Sequence, residues 1–305
     1  LGETIDIHGG GMDLVFPHHE NEVAQSECGS GKRYANYWMH NGLLTMAEGQ
    51  KMGKSLGNVV NIEDVLKEIP AEAVRLYYLQ NHYRSPLPWS ADALPDALGM
   101  LSRLYDARDV AESLAGTEDA DRVADELGED AKTVLQLGRS FREAFLEALD
   151  DDFNTAKALG LLFTLARAIN RFAAHKKAKK RGGPVVAPAL AAFALVSEAV
   201  GLMSTPTQVF IEDVKDKRLA ALGLSRDEVE RKVREREQLR AEKRWQEADV
   251  VRDELLASGV VIMDGPEGSR WRVRLEAPSA DCCTSRARRA RSEGVVHSPA
   301  ANISG

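Results

Sequence analysis

Residues 8–22 read HGGGMDLVFPHHENE. Three histidines, two glutamates, an aspartate and a glycine run fall within fifteen residues. The segment just before, TIDIH (Thr4–His8), alternates apolar and polar side chains as a strand does. The glycines that follow are expected to break that strand and to let the backbone come close to a ligand, which puts Gly10 and Gly11 among the candidate binding residues. In open parallel sheets ligands gather at the carboxyl ends of strands, where this loop would lie. Asp13 is placed to accept hydrogen bonds from a ribose, although a tight turn with no ligand fits the pattern as well. From Pro17 the stretch PHHENEVAQSE has the spacing of a helix with proline in its first turn. Residues four apart on a helix share a face, so His18 and Glu22 point the same way. Imidazole and carboxylate are zinc donors. A polar first turn whose acidic groups favour the helix dipole is an equally good account. A zinc site needs further donors, and His19 becomes a candidate if this chain alone binds zinc tightly. Cys28 is a poor one, because six residues past Glu22 places it about 9 Å farther along the helix axis. The chain opens on Leu1 in mid-pattern, so the missing donors are expected in upstream sequence.

The totals narrow the class. A length of 305 residues suggests about two domains. Hydrophobic residues make up 44%, enough for a core, and charged residues 29%, as in a soluble protein. The formal net charge of -7 leaves nucleic-acid binding open, because only a local basic face is needed. Three cysteines, Cys28, Cys282 and Cys283, do not make a disulfide framework and fit a reducing compartment. No apolar run is expected to reach the roughly 18 residues of a membrane span, and no signal peptide is visible. A cytoplasmic location, no membrane partner and a monomer are therefore expected.

Working outward, NYWMHNGLLTM (36–46) reads as a second strand region and AEGQKMGKSLGN (47–58) as a glycine-punctuated loop. Helical spacing over 61–80 is interrupted at Pro70, and HYRSPLPWS (82–90) is expected to be a loop. From about residue 91 long amphipathic patterns predict an all-α bundle. Asp152 or Asn154 is placed to cap one helix. A basic glycine–proline loop (KKAKKRGGPVVAP) is expected to break the bundle before ALAAFALVSEAVGLM, and a linker is expected near 205–223. A charged helical pair follows, then a β-hairpin. Residues 278–305 are small and polar with an arginine cluster, and disorder is expected there. The expected segments are 1–95, 96–205, 206–277 and 278–305.

The segment GQKMGKS fails the count for a phosphate-binding P-loop, since only three residues separate Gly49 from Gly53. What remains is a loop with Lys51 and Lys54 three apart. Two ammonium groups suit a polyphosphate whose negative charge grows as a bond breaks, and an ordinary solvated loop is the commoner fate of such a sequence.

The pieces DIHGGGMDLVFPHHENEVAQSE, NYWMHNGLL, KMGKSLGN, HYRSPL and DDFNTAKAL, in that order, closely resemble the cysteinyl-tRNA synthetases over roughly residues 1–277. The resemblance implies an α/β Rossmann-type catalytic remnant, then an all-α helical bundle, then a small α+β anticodon-binding region. It implies a class I ligase that uses ATP with Mg2+ to activate cysteine and transfers it to the cysteine tRNA. KMGKS matches the loop that stabilises departing pyrophosphate. Lys51 and Lys54 then carry the catalytic charge, with Lys54 contacting ATP. Gly53 stands where the family has serine, so the loop is expected to be more flexible. His18 and Glu22 match two of four zinc ligands, the other two being upstream cysteines. His8 matches an active-site histidine near the substrate, and Asp13 a ribose contact. Zinc in this family binds the substrate thiolate, which a serine hydroxyl cannot imitate. The class I HIGH signature and the first half of the nucleotide-binding fold are not in this sequence, so the isolated chain is expected to be inactive.

Arg240, Trp245, Asp249, Arg252 and Asp264 match the family's anticodon-contacting residues. The residues themselves agree. Trp245, Asp249 and Arg252 share a helix face, and tryptophan beside arginine is a platform for an unpaired base. An ordinary charged helix is the competing account, since residues 224–255 hold nine basic and ten acidic side chains. Two other readings of the whole chain stand behind the first. One is the cysteine-activating ligase of mycothiol synthesis, which should lack the anticodon-type region. The other is a non-catalytic tRNA-binding fragment.

Overall fold

Ile5–Gly11 forms β1, and Ala35–Asn41 forms β2 beside it in parallel, with Ile7 opposite Tyr37, His8 opposite Trp38 and Gly10 opposite His40. Parallel neighbours need a crossover, and α1 (Glu20–Ser30) supplies it. The computed structural model describes residues 2–46, 61–90, 92–265 and 268–274. These fall into two units, 1–226 and 227–305.

The expected strand break at the glycines does not occur, because β1 runs through Gly11. A Cβ on Gly10 would meet Cε1 and Nε2 of His19 at 2.9 and 3.0 Å. Glycine is there so that strand backbone can lie against an imidazole ring, not to end the strand. Pro17 is not in the first turn of the helix either. Phe16 is extended (φ -135°, ψ 134°), residues 15–19 make an irregular turn, and α1 starts at Glu20.

The second strand region divides at Gly42. Leu44–Met46 is a separate strand, β3. Gly42 N donates to Tyr83 O at 2.7 Å, and the Ser85 carbonyl lies where a Cβ on Gly42 would be. Residues 82–90 are therefore not all loop. Leu87–Trp89 forms β4, parallel to β3, with Leu87 N donating to Leu43 O. Pro88 is tolerated because, among the described residues, this sheet has two strands, so each has an outer edge. The helical stretch over 61–80 is α2 (Ile62–Glu68) and α3 (Ala71–Leu79), parted at Pro70 as expected.

The bundle comprises α4 (Ala93–Ser113), α5 (Ala120–Leu127), α6 (Glu129–Asp150), α7 (Thr155–Ala173), the short α8 (Ala178–Arg181) and α9 (Gly183–Val200). Leu98, Leu101, Phe145, Leu162, Ile169 and Phe193 lie in its core. Asn154, not Asp152, caps α7: its side chain accepts from Lys157 N at 3.0 Å. The basic glycine–proline segment does not break the bundle. It forms α8 and the start of α9, where Pro184 sits in the first turn and lacks only an N–H that no helix bond would use. That extension makes α9 an 18-residue helix long and apolar enough to cross a membrane, which corrects the expectation that no run approaches this length. Here it packs on α4, α5 and α6, with Val185, Ala189 and Phe193 inside.

The expected linker near 205–223 is mostly helix. Thr207–Leu222 forms α10, packed on α2 and α4. Its Phe210 ring stacks on Tyr105 at 3.7 Å. Phe210, Val214 and Leu219 give it a buried stripe, so the first unit extends to Arg226 rather than ending at 205.

The second unit contains α11 (Arg226–Ala241, entered at its first residue from the first unit), α12 (Trp245–Ala257) and the antiparallel hairpin β5 (Val260–Gly265) and β6 (Gly268–Val273). Val229, Val233, Val251, Leu255 and Val260 are buried within it. The expected tail, 278–305, lies outside the described residues.

Candidate functional site

The first cluster grows from the parallel register. His8 on β1 lies opposite Trp38 on β2, and their rings meet edge to face at 4.9 Å. His19, in the turn before α1, inserts its ring beside Gly10. It is 4% exposed. Its Nδ1 is 2.8 Å from Nε2 of His40, one nitrogen donating and the other accepting. Burial first, then neighbouring His40 and His8, hold the His19 imidazole below its ordinary pKa. A neutral ring is the form that can bind a metal.

Glu22 lies between two histidines. Its Oε2 is 2.9 Å from His8 Nε2, and its Oε1 is 3.5 Å from His18 Nε2. Oε2 is also buried without a well-aligned hydrogen bond, so it keeps accepting capacity. Ligand atoms of His8, His19 and Glu22 all lie within 4.8 Å of one another. Two imidazoles and a carboxylate are a zinc-type donor set. The His18 side chain, 61% exposed, borders this group through Glu22. Cys28 is exposed on α1 and is not in the cluster.

Gly10 and Gly11 end β1 beside the cluster, and Asp13 is exposed in the turn that follows. Lys51, Gly53 and Lys54 lie outside the described residues. Gly42, between β2 and β3, is held by residues 83–85, and these are tied to the bundle. Arg84 grips Asp152 through Nε (2.6 Å) and an Nη (3.1 Å), and Tyr83 Oη donates to the same carboxylate at 2.8 Å. Those bonds, Arg84's first, hold the Asp152 carboxyl down at about 2. The sequence reading missed this role for Asp152, and it missed His40. No local pattern announces an ion pair between residues 68 apart in sequence.

The second cluster lies in the second unit. Arg236 bonds Asp264 with both terminal nitrogens (2.8 and 3.0 Å), and Arg240 reaches the same carboxylate at 2.6 Å. Arg236 first, then Arg240 and Ser269, keep the Asp264 carboxyl far below its ordinary value against the opposing cost of burial. A cavity of about 150 Å³ is lined by Arg236, Arg252, Leu256, Val261, Ile262 and Asp264. Of the expected residues, Arg240, Arg252 and Asp264 are thus brought together. Trp245 opens α12 and is 56% exposed, and Asp249 is exposed one turn on. Arg236 was missed, although a signal existed: with Val229, Val233 and Leu239 it occupies the buried stripe of α11. A charged residue in an apolar register is worth a question.

Comparison with known proteins gives three family matches in chain order. Residues 1–99 match the class I (C) tRNA synthetase catalytic domain, 144–196 the DALR domain, and 226–272 the cysteinyl-tRNA ligase anticodon binding domain. Among relatives, the cysteine–tRNA ligase of Geobacter metallireducens is 41% identical over 279 residues, covering 90% of this chain and 56% of that protein. Those of Geobacter sulfurreducens and Halorhodospira halophila are 43% and 45% identical, and the match covers 55% and 52% of their lengths. The chain spans about half the length of the curated relatives it matches. A solved ternary complex, Agrobacterium radiobacter K84 agnB2 LeuRS with tRNA and LeuAMS, shares the fold at a TM-score of 0.51 and 18% identity. The likeness covers 67% of this chain and 26% of that one.

Proposed function

Because the chain belongs to the cysteinyl-tRNA synthetase family, we propose that it serves cysteine–tRNA ligation. In that reaction cysteine is activated with ATP and Mg2+ to cysteinyl-adenylate and then joined to the cysteine tRNA in the cytoplasm. The observation that carries the reading is the succession of catalytic, helical and anticodon-binding matches in one chain. The last of them argues against a mycothiol-type ligase.

In the first cluster, Glu22 with His18, or with His8 and His19, would hold zinc. The donor chemistry and the underused Glu22 Oε2 fit that ion. Bound there, zinc would supply a soft partner for the substrate thiolate and so a means of rejecting serine. This chain's residues do the rest. His8 Nε2 faces Glu22 Oε2 at 2.9 Å, and Glu22 Oε1 faces His18 Nε2 at 3.5 Å, so each oxygen has an imidazole beside it. Trp38 and His40 wall the cluster on the β2 side. Lys51 and Lys54 would stabilise the charge that develops on departing pyrophosphate. Asp13 would meet the ribose, with Gly10 and Gly11 beside it. Arg240, Trp245, Asp249, Arg252 and Asp264 would read the anticodon, with Trp245 offering a stacking face.

The test is selection from a pool. The immobilised chain, presented with bulk tRNA, should retain the cysteine tRNA well above its share of the input, as read by sequencing. Retention in proportion to abundance would sink the proposal.

A further inference from the structure

The Asp264 carboxylate has no spare capacity. A carboxylate offers about four acceptor positions. Arg236 occupies one on each oxygen, Ser269 Oγ donates to Oδ1 at 3.1 Å, and Arg240 takes Oδ2. If an unpaired base is to donate an amino or imino N–H to this group, one occupant must leave. The two arginines are not equivalent. The Arg240 side chain is 38% exposed, and water can replace its partner. The Arg236 side chain is 5% exposed, and its Nε is buried with no hydrogen-bond partner. Pulling Asp264 from it would take the two-pronged partner from a buried guanidinium, which is strongly unfavourable.

Stability does not explain why arginine stands there. Its companions in the buried stripe of α11 are Val229, Val233 and Leu239. A well-packed apolar residue at such a position is often as stabilising as a buried ion pair. What an apolar residue cannot do is fix the plane of a carboxylate by a two-pronged bond. It also cannot hold that carboxylate at the wall of the 150 Å³ cavity that Arg252 shares.

We infer that Arg236 is a positioning residue for base recognition: it holds the Asp264 carboxylate in place, while Arg240 is the exchangeable partner that yields to the N–H edge of an unpaired base. This rests on the proposed reading of Asp264 as an anticodon contact. Lysine at 236 would preserve charge but not the two-pronged geometry.

Equilibrium binding of the whole chain to the cysteine tRNA, and to the same tRNA with one anticodon base changed, tests this. Folding of each variant is checked by thermal melting. Arg236→Lys should lower the cognate-to-altered affinity ratio about tenfold, a typical consequence of losing a base-edge contact, with affinity for the altered tRNA unchanged. Asp264→Asn should do the same, and the double variant should be no worse than Asp264→Asn alone. If Arg236→Lys weakens both tRNAs alike, or leaves the ratio intact while Asp264→Asn collapses it, the positioning role is overturned and the anticodon reading stands. If Asp264→Asn leaves the ratio intact, the anticodon reading of this carboxylate fails, and the inference with it.

Discussion

Gly10→Ala perturbs the histidine cluster with a single carbon atom. The added Cβ would sit 2.9 Å from Cε1 and 3.0 Å from Nε2 of His19, and 3.1 Å from a methyl of Leu14. Leu14 is exposed and can move. His19 cannot move without losing its 2.8 Å bond to His40, because it is buried against β1 and β2. Two costs combine. Overpacking costs about 1–3 kcal/mol, and a buried polar group left without its partner about 1–3 kcal/mol. A loss of about 2–6 kcal/mol in unfolding free energy is expected by urea titration. The contrast is supplied by a His19→Ala background. With the ring gone the Cβ has room, and alanine should then be about 0.5–1 kcal/mol better than glycine in a strand. A double-mutant cycle isolates the coupling. Equal cost of Gly10→Ala in both backgrounds would refute the claim that the His19 ring dictates glycine at this position.

Acid should weaken the chain through Asp152 and Glu118. Both carboxyls are held at about 2 in the folded state, Asp152 chiefly by Arg84 and Glu118 chiefly by Arg181. A lowered folded pKa means that the contribution is present above the ordinary values, 3.8 and 4.5, and is lost as pH falls through about 2. Unfolding midpoints should fall over that window, and less so in Asp152→Asn combined with Glu118→Gln. Asn154→Ala removes the cap on α7 and should cost about 1 kcal/mol in chemical denaturation. Leu162→Ala, fully buried in α7, should cost about 2–5 kcal/mol by the same assay. Glu22→Gln should lower zinc affinity at least about tenfold in a competition titration with a chromophoric chelator, the range seen when a metal site loses a supporting group. Unchanged affinity would move the site away from this cluster.

Elements with one clear period were legible in sequence: the first strand, the long bundle helices, the charged pair and the terminal hairpin. The misreadings share a cause. Glycine and proline read as punctuation in sequence, yet Gly9–Gly11 all stay in β1, with the His19 ring against Gly10, and Pro184 opens a helix rather than preventing one. The charged sequence of α10 hid a stripe that becomes visible only when α2 and α4 supply its partners. At the candidate site, a four-residue spacing paired His18 with Glu22, although His18 lies in the turn before α1. His40 and the Arg84–Asp152 bond could not be found by spacing, because strand register and tertiary packing create them. Arg236 was written in the sequence as an arginine in an apolar register, and only the geometry of Asp264 says what it holds.

Recognition of the cysteine tRNA through the second unit, as proposed, is checked by the chain's affinity for that tRNA with the native and with an altered anticodon, before and after Trp245→Ala. Binding should favour the native anticodon and should weaken with salt, because phosphate contacts dominate affinity. Trp245→Ala should cost about 1–3 kcal/mol on the native tRNA, one base–aromatic stack. Equal affinity for the two tRNAs, unmoved by Trp245→Ala, would contradict the account.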